Sequence, residues 1–186
     1  MTKEFRRIAI SIFVFLLLAS SLYAQEGMSQ SGKLLSPDSL LRAARMIVDS
    51  SSCWIFITVD ENGKPHAREM SPFPPETDWV IWLGTSSDSR KVKQIQNNPN
   101  VVVYYYDTKS FSYVSVSGKA RLVNDPEKKA KYWVDGWKRY YPDRDKNYIL
   151  IEVTPENLEV VSYKYNIFWD SKGAPQSFNF ISNKAK

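Results

Sequence analysis

The chain has 186 residues, of which 43% are hydrophobic and 24% are charged, and its formal net charge is +5. This length, once an N-terminal targeting segment is set aside, fits one domain. The basic residues form no continuous block, so we predict no nucleic-acid partner. Cys53 is the single cysteine and His66 the single histidine, which excludes an internal disulfide and leaves no cluster for a metal site.

The first 24 residues have the pattern of a secretory signal peptide. Three basic residues lie within the first seven positions, an apolar run follows at 8–19, and a short segment ends on Ala24. A membrane span needs about 20 apolar residues, so we expect cleavage after Ala24 and no stable membrane insertion afterwards. The protein is therefore predicted to be exported, as a periplasmic or secreted protein. The pair Arg6-Arg7 leaves the twin-arginine route open, although the apolar continuation fits the general route better.

The segment at 25–33 is polar and contains Gly and Ser, so we predict a flexible tether at 25–35 followed by a domain at 36–183. Ser36-Pro37 is typical of a helix start, and apolar residues then recur at helical spacing up to position 48. Strands are predicted at 53–59, 64–73, 79–85, 101–107, 111–123 and 148–153, with a further extended segment at 159–163. Two more helices are predicted, at 89–97 and from 125 up to a proline at 142.

The predicted strand at 111–123 indicates the architecture. Val114, Val116, Gly118, Ala120 and Leu122 fall on one of its faces. Small residues on an inner face suit a narrow barrel, in which opposite walls come close together. About six antiparallel strands with helical insertions predict a mainly β barrel with flanking helices rather than a parallel α/β sheet.

An anion-binding site is predicted where the third strand meets the next helix. Thr85 and Ser89 supply hydroxyl groups there, and Arg90 and Lys91 supply two adjacent cations in the first helical turn. Free backbone amides at a helix N-terminus add to such a site, and Arg and Lys can share a phosphate dianion. The alternative is an ordinary capped helix start exposed to solvent.

Several short motifs follow one another between about positions 38 and 180. They are Asp60-Glu61-Asn62-Gly63-Lys64-Pro65, Trp82-Leu83-Gly84-Thr85, Ser89-Arg90-Lys91, Asn98-Pro99-Asn100-Val101, Val116-Ser117-Gly118-Lys119-Ala120 and Trp169-Asp170. In series they resemble the pyridoxamine 5'-phosphate oxidase superfamily, and more closely its general-stress-protein-like branch.

The resemblance implies a homodimeric split β-barrel that holds FMN in a cleft between its subunits. It implies that Arg68 reaches the phosphate region, that the following three residues line the isoalloxazine edge, and that Trp169 approaches the flavin of the other subunit. For Trp169, simple packing of the chain end is an equal alternative. The cofactor-binding residues that the resemblance implies are Arg68, Glu69, Met70, Ser71, Gly84, Thr85, Ser89, Arg90, Lys91 and Trp169.

Departures from the family pattern bear on the substrate. Phe73 stands where the true oxidase has a lysine, and Tyr113 stands where the family has a flavin-contacting glutamine. Vitamin B6 oxidation is therefore not predicted.

Three readings of the function stay open at the level of the sequence. The favoured one is an FMN-dependent oxidoreductase that acts on an unidentified small-molecule redox substrate, with the flavin supplying the chemistry. The second is a non-enzymatic flavin-binding stress protein of the cell envelope. The third, which the sequence supports least, is a haem-binding split barrel with His66 as the axial ligand.

Overall fold

The computed structural model describes residues 34–184. The predicted signal peptide at 1–24, and the predicted tether except for its last two residues, lie outside the described residues. Across the described part of the chain, every helix is too short or too polar to span a bilayer.

The described residues form five α-helices, one 3₁₀ helix and seven β-strands. In chain order they are α1 (Pro37–Ser50), β1 (Cys53–Val59), β2 (Pro65–Glu69), β3 (Ile81–Ser86), α2 (Arg90–Asn97), β4 (Asn100–Asp107), β5 (Ser112–Val123), α3 (Pro126–Lys131), the 3₁₀ helix (Asp135–Arg139), α4 (Arg144–Asn147), β6 (Tyr148–Val161), β7 (Gln176–Asn179) and α5 (Phe180–Lys184). The protein is thus mainly β with flanking helices, as the sequence predicts.

The strands form one antiparallel sheet with the order β2-β1-β4-β5-β6-β3, and β7 also pairs with β6. The long strand β6 lies beside β5 along most of its length. On its other edge, β3 pairs with its first half and β7 with its second half. The register of β5 and β6 shifts between Ser117 and Gly118. A side chain at Gly118 would collide with the backbone of Thr154, so this bulge requires glycine.

The core lies inside the curved sheet, with α1 packed over it. The predicted helical face of α1 is buried against β4 and β5. Ser36 caps α1 by accepting a hydrogen bond from the Ser39 amide, and Pro37 follows it, as predicted. In β5, Val114, Val116 and Ala120 belong to this core.

The structure differs from the predicted elements in three places. The predicted strand at 64–73 ends at Glu69, after which the chain crosses toward β3 and the Phe73 amide donates to the Trp82 carbonyl at 2.9 Å. Prolines at 72, 74 and 75 lack the amide hydrogen that a continued ladder needs. The predicted segment at 148–153 and the first three residues of the segment at 159–163 belong to one strand, which passes through the buried Pro155 and ends at Val161.

The third difference concerns the predicted helix at 125–141. It ends at Lys131, and a 3₁₀ helix and the short helix α4 follow. The aromatic side chains of this region pack on the far side of β3, where they form an aromatic cluster. Its members are Phe73, Trp82, Tyr132, Trp133, Trp137, Tyr141 and Tyr148. The packing of these aromatic side chains against the sheet thus has more influence on the backbone here than the helical spacing of the apolar residues. Strand β7 and helix α5 carry no signal that predicts them.

Candidate anion-binding site

Three cations meet at one end of the barrel, where β2 and β3 approach the start of α2. Helix α2 begins at Arg90 immediately after its N-cap Ser89, which places Arg90 and Lys91 in its first turn. Lys91 Nζ donates to Thr85 Oγ1 at 2.9 Å, and Thr85 Oγ1 lies 3.4 Å from Ser89 Oγ. The structure therefore brings together the four residues predicted at this junction.

Arg68 joins this group from β2. Its register partner on β1 is Phe56, and its Nη1 donates to the carbonyl of that residue at 3.3 Å. The same nitrogen donates to Thr58 Oγ1 at 2.7 Å, and Nη2 donates to Gln94 Oε1 at 3.3 Å. Arg68, Arg90 and Lys91 are referred to below as the cation cluster.

The cation cluster has an unbalanced charge. Burial, followed by the charges of Arg68 and Arg90, lowers the pKa of Lys91. Burial and then the charge of Arg90 lower the pKa of Arg68. Within residues 34–184, the salt bridges all involve other side chains. Three cations that repel one another without a carboxylate between them favour the binding of an anion.

The donor set suits a phosphate monoester. A guanidinium offers a planar fork of N–H groups, an ammonium offers a compact charge, and hydroxyl groups supply further hydrogen bonds. Each of these groups is present at the start of α2. The residues therefore fit the phosphate group of FMN, the cofactor that the sequence predicts.

Gly84 and Thr85 are neighbours in sequence but lie on opposite faces of β3. Thr85 faces the cation cluster, because it accepts the hydrogen bond from Lys91. Gly84 faces the aromatic cluster, where an added Cβ would come closer than 3.0 Å to Tyr148 and Trp137. Packing against these rings thus explains why position 84 is a glycine. Its contact with the cofactor remains a prediction.

The other predicted cofactor residues lie in two places. Glu69 and Ser71 are exposed at the end of β2, while Met70 packs against the core and its amide donates to the Trp54 carbonyl at 3.0 Å. Trp169 lies between β6 and β7, where it forms a β-bridge with Pro175 and is 39% exposed. Their contacts with a flavin remain predictions.

Two residues of this site, Thr58 and Gln94, are missing from the residues inferred from the sequence. Both are buried polar side chains in contact with Arg68. A signal for each exists in the sequence. Thr58 occupies the inward position two residues after Phe56, and Gln94 adjoins Ile95 on the apolar face of its helix. A polar residue at an inward position is unusual enough to mark a site.

Comparisons with known proteins identify the family and the fold. A family model described as "Pyridoxamine 5'-phosphate oxidase like" matches residues 38–186. General stress protein 26 of Bacillus subtilis is 35% identical over 106 residues, which are 55% of this chain and 74% of that protein.

Solved structures with a similar fold include General Stress Protein 26 from Bacillus anthracis. It has a TM-score of 0.57 and 31% identity, over 66% of this chain and 93% of that one. A protein from Clostridium acetobutylicum related to general stress protein 26 has a TM-score of 0.64 and 23% identity, over 79% of this chain and 99% of that one. An FMN-binding protein from Nostoc punctiforme, related to pyridoxamine 5'-phosphate oxidase, has a TM-score of 0.57 and 15% identity, over 79% and 98%.

The last two structures show the fold alone, and they confirm the predicted split β-barrel class. The match of the family model over nearly the whole described region identifies the family. The chain belongs to the pyridoxamine 5'-phosphate oxidase-like family.

Proposed function

We propose that this protein binds FMN and that the cation cluster holds the phosphate group of the cofactor. The observation that carries the proposal is the group of three neighbouring cations that have no salt-bridge partner among the described residues, with the pKa values of Arg68 and Lys91 lowered by burial and by nearby positive charge. Arg68, Arg90 and Lys91 bind the phosphate, and Thr85 and Ser89 add hydroxyl groups. The FMN-binding neighbour of the same fold supports the choice of flavin.

The proposed activity is that of a flavin-dependent oxidoreductase with a small-molecule substrate. A bound flavin supplies the electron transfer, while the protein binds, orients and tunes it. Phe73 supports a substrate other than pyridoxamine phosphate. Its ring packs in the aromatic cluster, 5.1 Å from the Tyr132 ring and 5.7 Å from the Trp137 ring. This position therefore has no cationic side chain that could bind the phosphate group of a pyridoxamine phosphate substrate.

The proposed assembly is a homodimer formed through the outer face of the sheet. Ile55 and Ile57 on β1, Val102 and Tyr104 on β4, and Tyr113 on β5 lie on this face and are half-buried. The rings of Tyr104 and Tyr113 stack with their centroids 5.2 Å apart. A contiguous apolar and aromatic sheet face is typical of a protein–protein interface, and a two-fold dimer is the commonest soluble assembly.

The proposed location is outside the cytoplasm, because of the signal peptide pattern that ends at Ala24. Sequencing the N-terminus of the protein isolated from its native cells tests this point. A mature chain that begins at Gln25 supports export with cleavage, whereas a chain that retains residue 1 contradicts it.

A haem-binding function has less support than flavin binding. His66 Nε2 lies 2.8 Å from Asp60 Oδ2, so the one histidine of the chain already has a partner in the β1–β2 hairpin. A guanidinium and an ammonium beside hydroxyl groups also suit a phosphate better than they supply an axial ligand.

The test of the proposed function compares FMN with riboflavin, which has the same ring system but no phosphate. Isothermal titration of the mature protein with each ligand gives the two dissociation constants directly. We expect FMN to bind at least about tenfold more tightly, since charge-assisted hydrogen bonds to the phosphate are strong. Equal affinities, or no binding of either ligand, would contradict the proposal.

The visible spectrum of protein purified from native cells separates the remaining readings. Flavin bands support the proposal, and a Soret band supports haem. If flavin is bound, oxidation of a reduced nicotinamide cofactor by the purified protein distinguishes an enzyme from a non-enzymatic flavin-binding stress protein.

A further inference from the structure

Two neutral side chains, Thr58 and Gln94, hold the guanidinium of Arg68. Thr58 Oγ1 accepts a hydrogen bond from Arg68 Nη1 at 2.7 Å and donates one to Gln94 Oε1 at 2.6 Å. Gln94 Oε1 also accepts from Arg68 Nη2 at 3.3 Å. The three side chains come from β1, α2 and β2, so this small network fixes the strand pair to the helix that carries the rest of the cation cluster.

The network is buried and its geometry is therefore well defined. Thr58 is 0% exposed and Gln94 is 5% exposed. Buried polar groups are costly unless they are hydrogen-bonded, so each member of the network restricts the orientation of the others. The hydroxyl group of Thr58 donates to Gln94 and accepts from Arg68, so it links all three side chains of the network.

The chemical nature of the partners is unusual for a half-buried arginine. Such an arginine ordinarily pairs with a carboxylate, because a buried charge without a counter-ion is costly. Here the place of a counter-ion is taken by Gln94, which has the shape of glutamate without its charge. A neutral acceptor orients the guanidinium and leaves its full positive charge in place.

The other charged groups around Arg68 preserve this imbalance. Arg90 and Lys91 lie in the first turn of α2, and the charge of Arg90 acts on both Arg68 and Lys91. His66 precedes Arg68 by two residues on the same strand face. The carboxylate of the β1–β2 turn, Asp60, is bound to this histidine and to the amides of Asn62 and Lys64.

We infer that Thr58 and Gln94 are positioning residues that fix Arg68 without neutralising it, so that the cluster selects a doubly charged phosphate monoester over an uncharged flavin. This inference rests on the proposed FMN binding and explains how the site discriminates by charge. Neither residue needs to contact the ligand, since both act through Arg68.

The decisive variant is Gln94→Glu, which exchanges an amide for a carboxylate of the same shape. The new carboxylate pairs with Arg68 and cancels one positive charge of the cluster. FMN affinity is expected to fall about tenfold to a hundredfold, the range for loss of a charge-assisted hydrogen bond, while riboflavin affinity stays the same. The thermal midpoint of the ligand-free protein is expected to stay equal or rise, because repulsion within the cluster is relieved.

Gln96→Glu is the matched control. Gln96 lies on the same helix but is exposed, and its substitution adds the same charge to the protein. Because an exposed charge is screened by solvent and salt, FMN affinity is expected to change by no more than about twofold.

A second variant, Thr58→Val, keeps the side-chain shape and removes the hydroxyl group. Thr58→Val is expected to lower the affinity for FMN and to leave the affinity for riboflavin unchanged.

The outcomes separate the inference from the proposed function. If the wild-type protein binds FMN no better than riboflavin, the proposed function fails. If the wild type prefers FMN and Gln94→Glu keeps the whole preference, this inference alone fails. Parallel losses of FMN affinity, riboflavin affinity and thermal midpoint in Gln94→Glu and Thr58→Val assign these residues a merely structural role and also overturn it.

Discussion

Lys91 is the residue on which the proposed phosphate site depends most directly. It donates a hydrogen bond to Thr85 and lies within electrostatic reach of Arg68 and Arg90. Replacing Lys91 by alanine should reduce FMN affinity about tenfold to a hundredfold, because a charge-assisted hydrogen bond is worth roughly 1.5–3 kcal/mol. The affinity for riboflavin should fall only slightly, since riboflavin has no phosphate group. Calorimetric titration of both ligands measures the difference.

Lys93→Ala is the control for this substitution. Lys93 lies two residues further along α2, where its side chain is exposed. Removing a surface lysine changes little, so its FMN affinity should match that of the wild type. Equal FMN affinities of Lys91→Ala and Lys93→Ala would argue against a phosphate site at the start of α2.

Glu76 supports a pH-dependent contribution to stability. Its Oε1 accepts hydrogen bonds from Tyr132 at 2.5 Å and from Lys131 at 2.9 Å, and these partners lower the pKa of Glu76 to about 2. Because the folded-state pKa lies below the ordinary value of 4.5, the contribution is present above pH 4.5 and disappears as the pH falls toward 2. Glu76→Gln should therefore cost about 1 kcal/mol at pH 7 and progressively less below pH 4.5.

Denaturant unfolding of the wild type and of Glu76→Gln at pH 7 and near the acid limit of the folded state tests this. Glu61→Gln, at an exposed position in the β1–β2 turn, removes the same charge and is the control. A difference between wild type and Glu76→Gln that does not shrink in acid would contradict the assignment.

At the scale of elements, β3 separates two environments. Its inward side chains belong to the main core, whereas Trp82 and the α-carbon of Gly84 meet the aromatic cluster. Gly84→Ala should destabilise the protein by about 1–3 kcal/mol, because its Cβ would overlap two packed rings. Chemical unfolding at pH 7 measures this cost.

Gly136→Ala is the matched substitution in the 3₁₀ helix. The space around Gly136 is open, so an added methyl group should be neutral or slightly stabilising. Equal stabilities of Gly84→Ala and Gly136→Ala would show that the aromatic cluster can repack around β3.

At the scale of the whole molecule, the outer face of the sheet is the proposed dimer interface. Tyr104 and Tyr113 stack on this face, and burial raises the pKa of both phenols. Light scattering should give the mass of a dimer at micromolar concentration, and Tyr104→Glu should give that of a monomer, since an interface core tolerates a buried charge poorly. Ser177→Glu, at an exposed position of β7, should remain dimeric. A monomeric wild type would rule out the proposed interface.

The sequence by itself determined the class of fold and the candidate anion-binding segment. Runs of β-branched and aromatic residues between turn residues predicted the strands from β1 to β5, and the hydroxyl and basic residues at 85–91 predicted the anion site. Both kinds of pattern lie within short segments of the chain. The same local information predicted a helix at 125–141, which in the structure ends at Lys131. There the burial of aromatic rings against β3 decided the backbone.

Tertiary structure decided everything that depends on residues far apart in the chain. Thr58, Arg68 and Gln94 are in contact although Thr58 and Gln94 are 36 positions apart in the sequence. A local sequence pattern does not predict such a contact. Because successive side chains of β3 point to opposite faces, Thr85 lies beside the cation cluster and Gly84 lies beside the aromatic cluster. Which cluster each face of β3 meets depends on the strands and helices that pack against it. Side-chain partners across a sheet are set by strand order and register, and these follow from burial of the whole core rather than from any one segment.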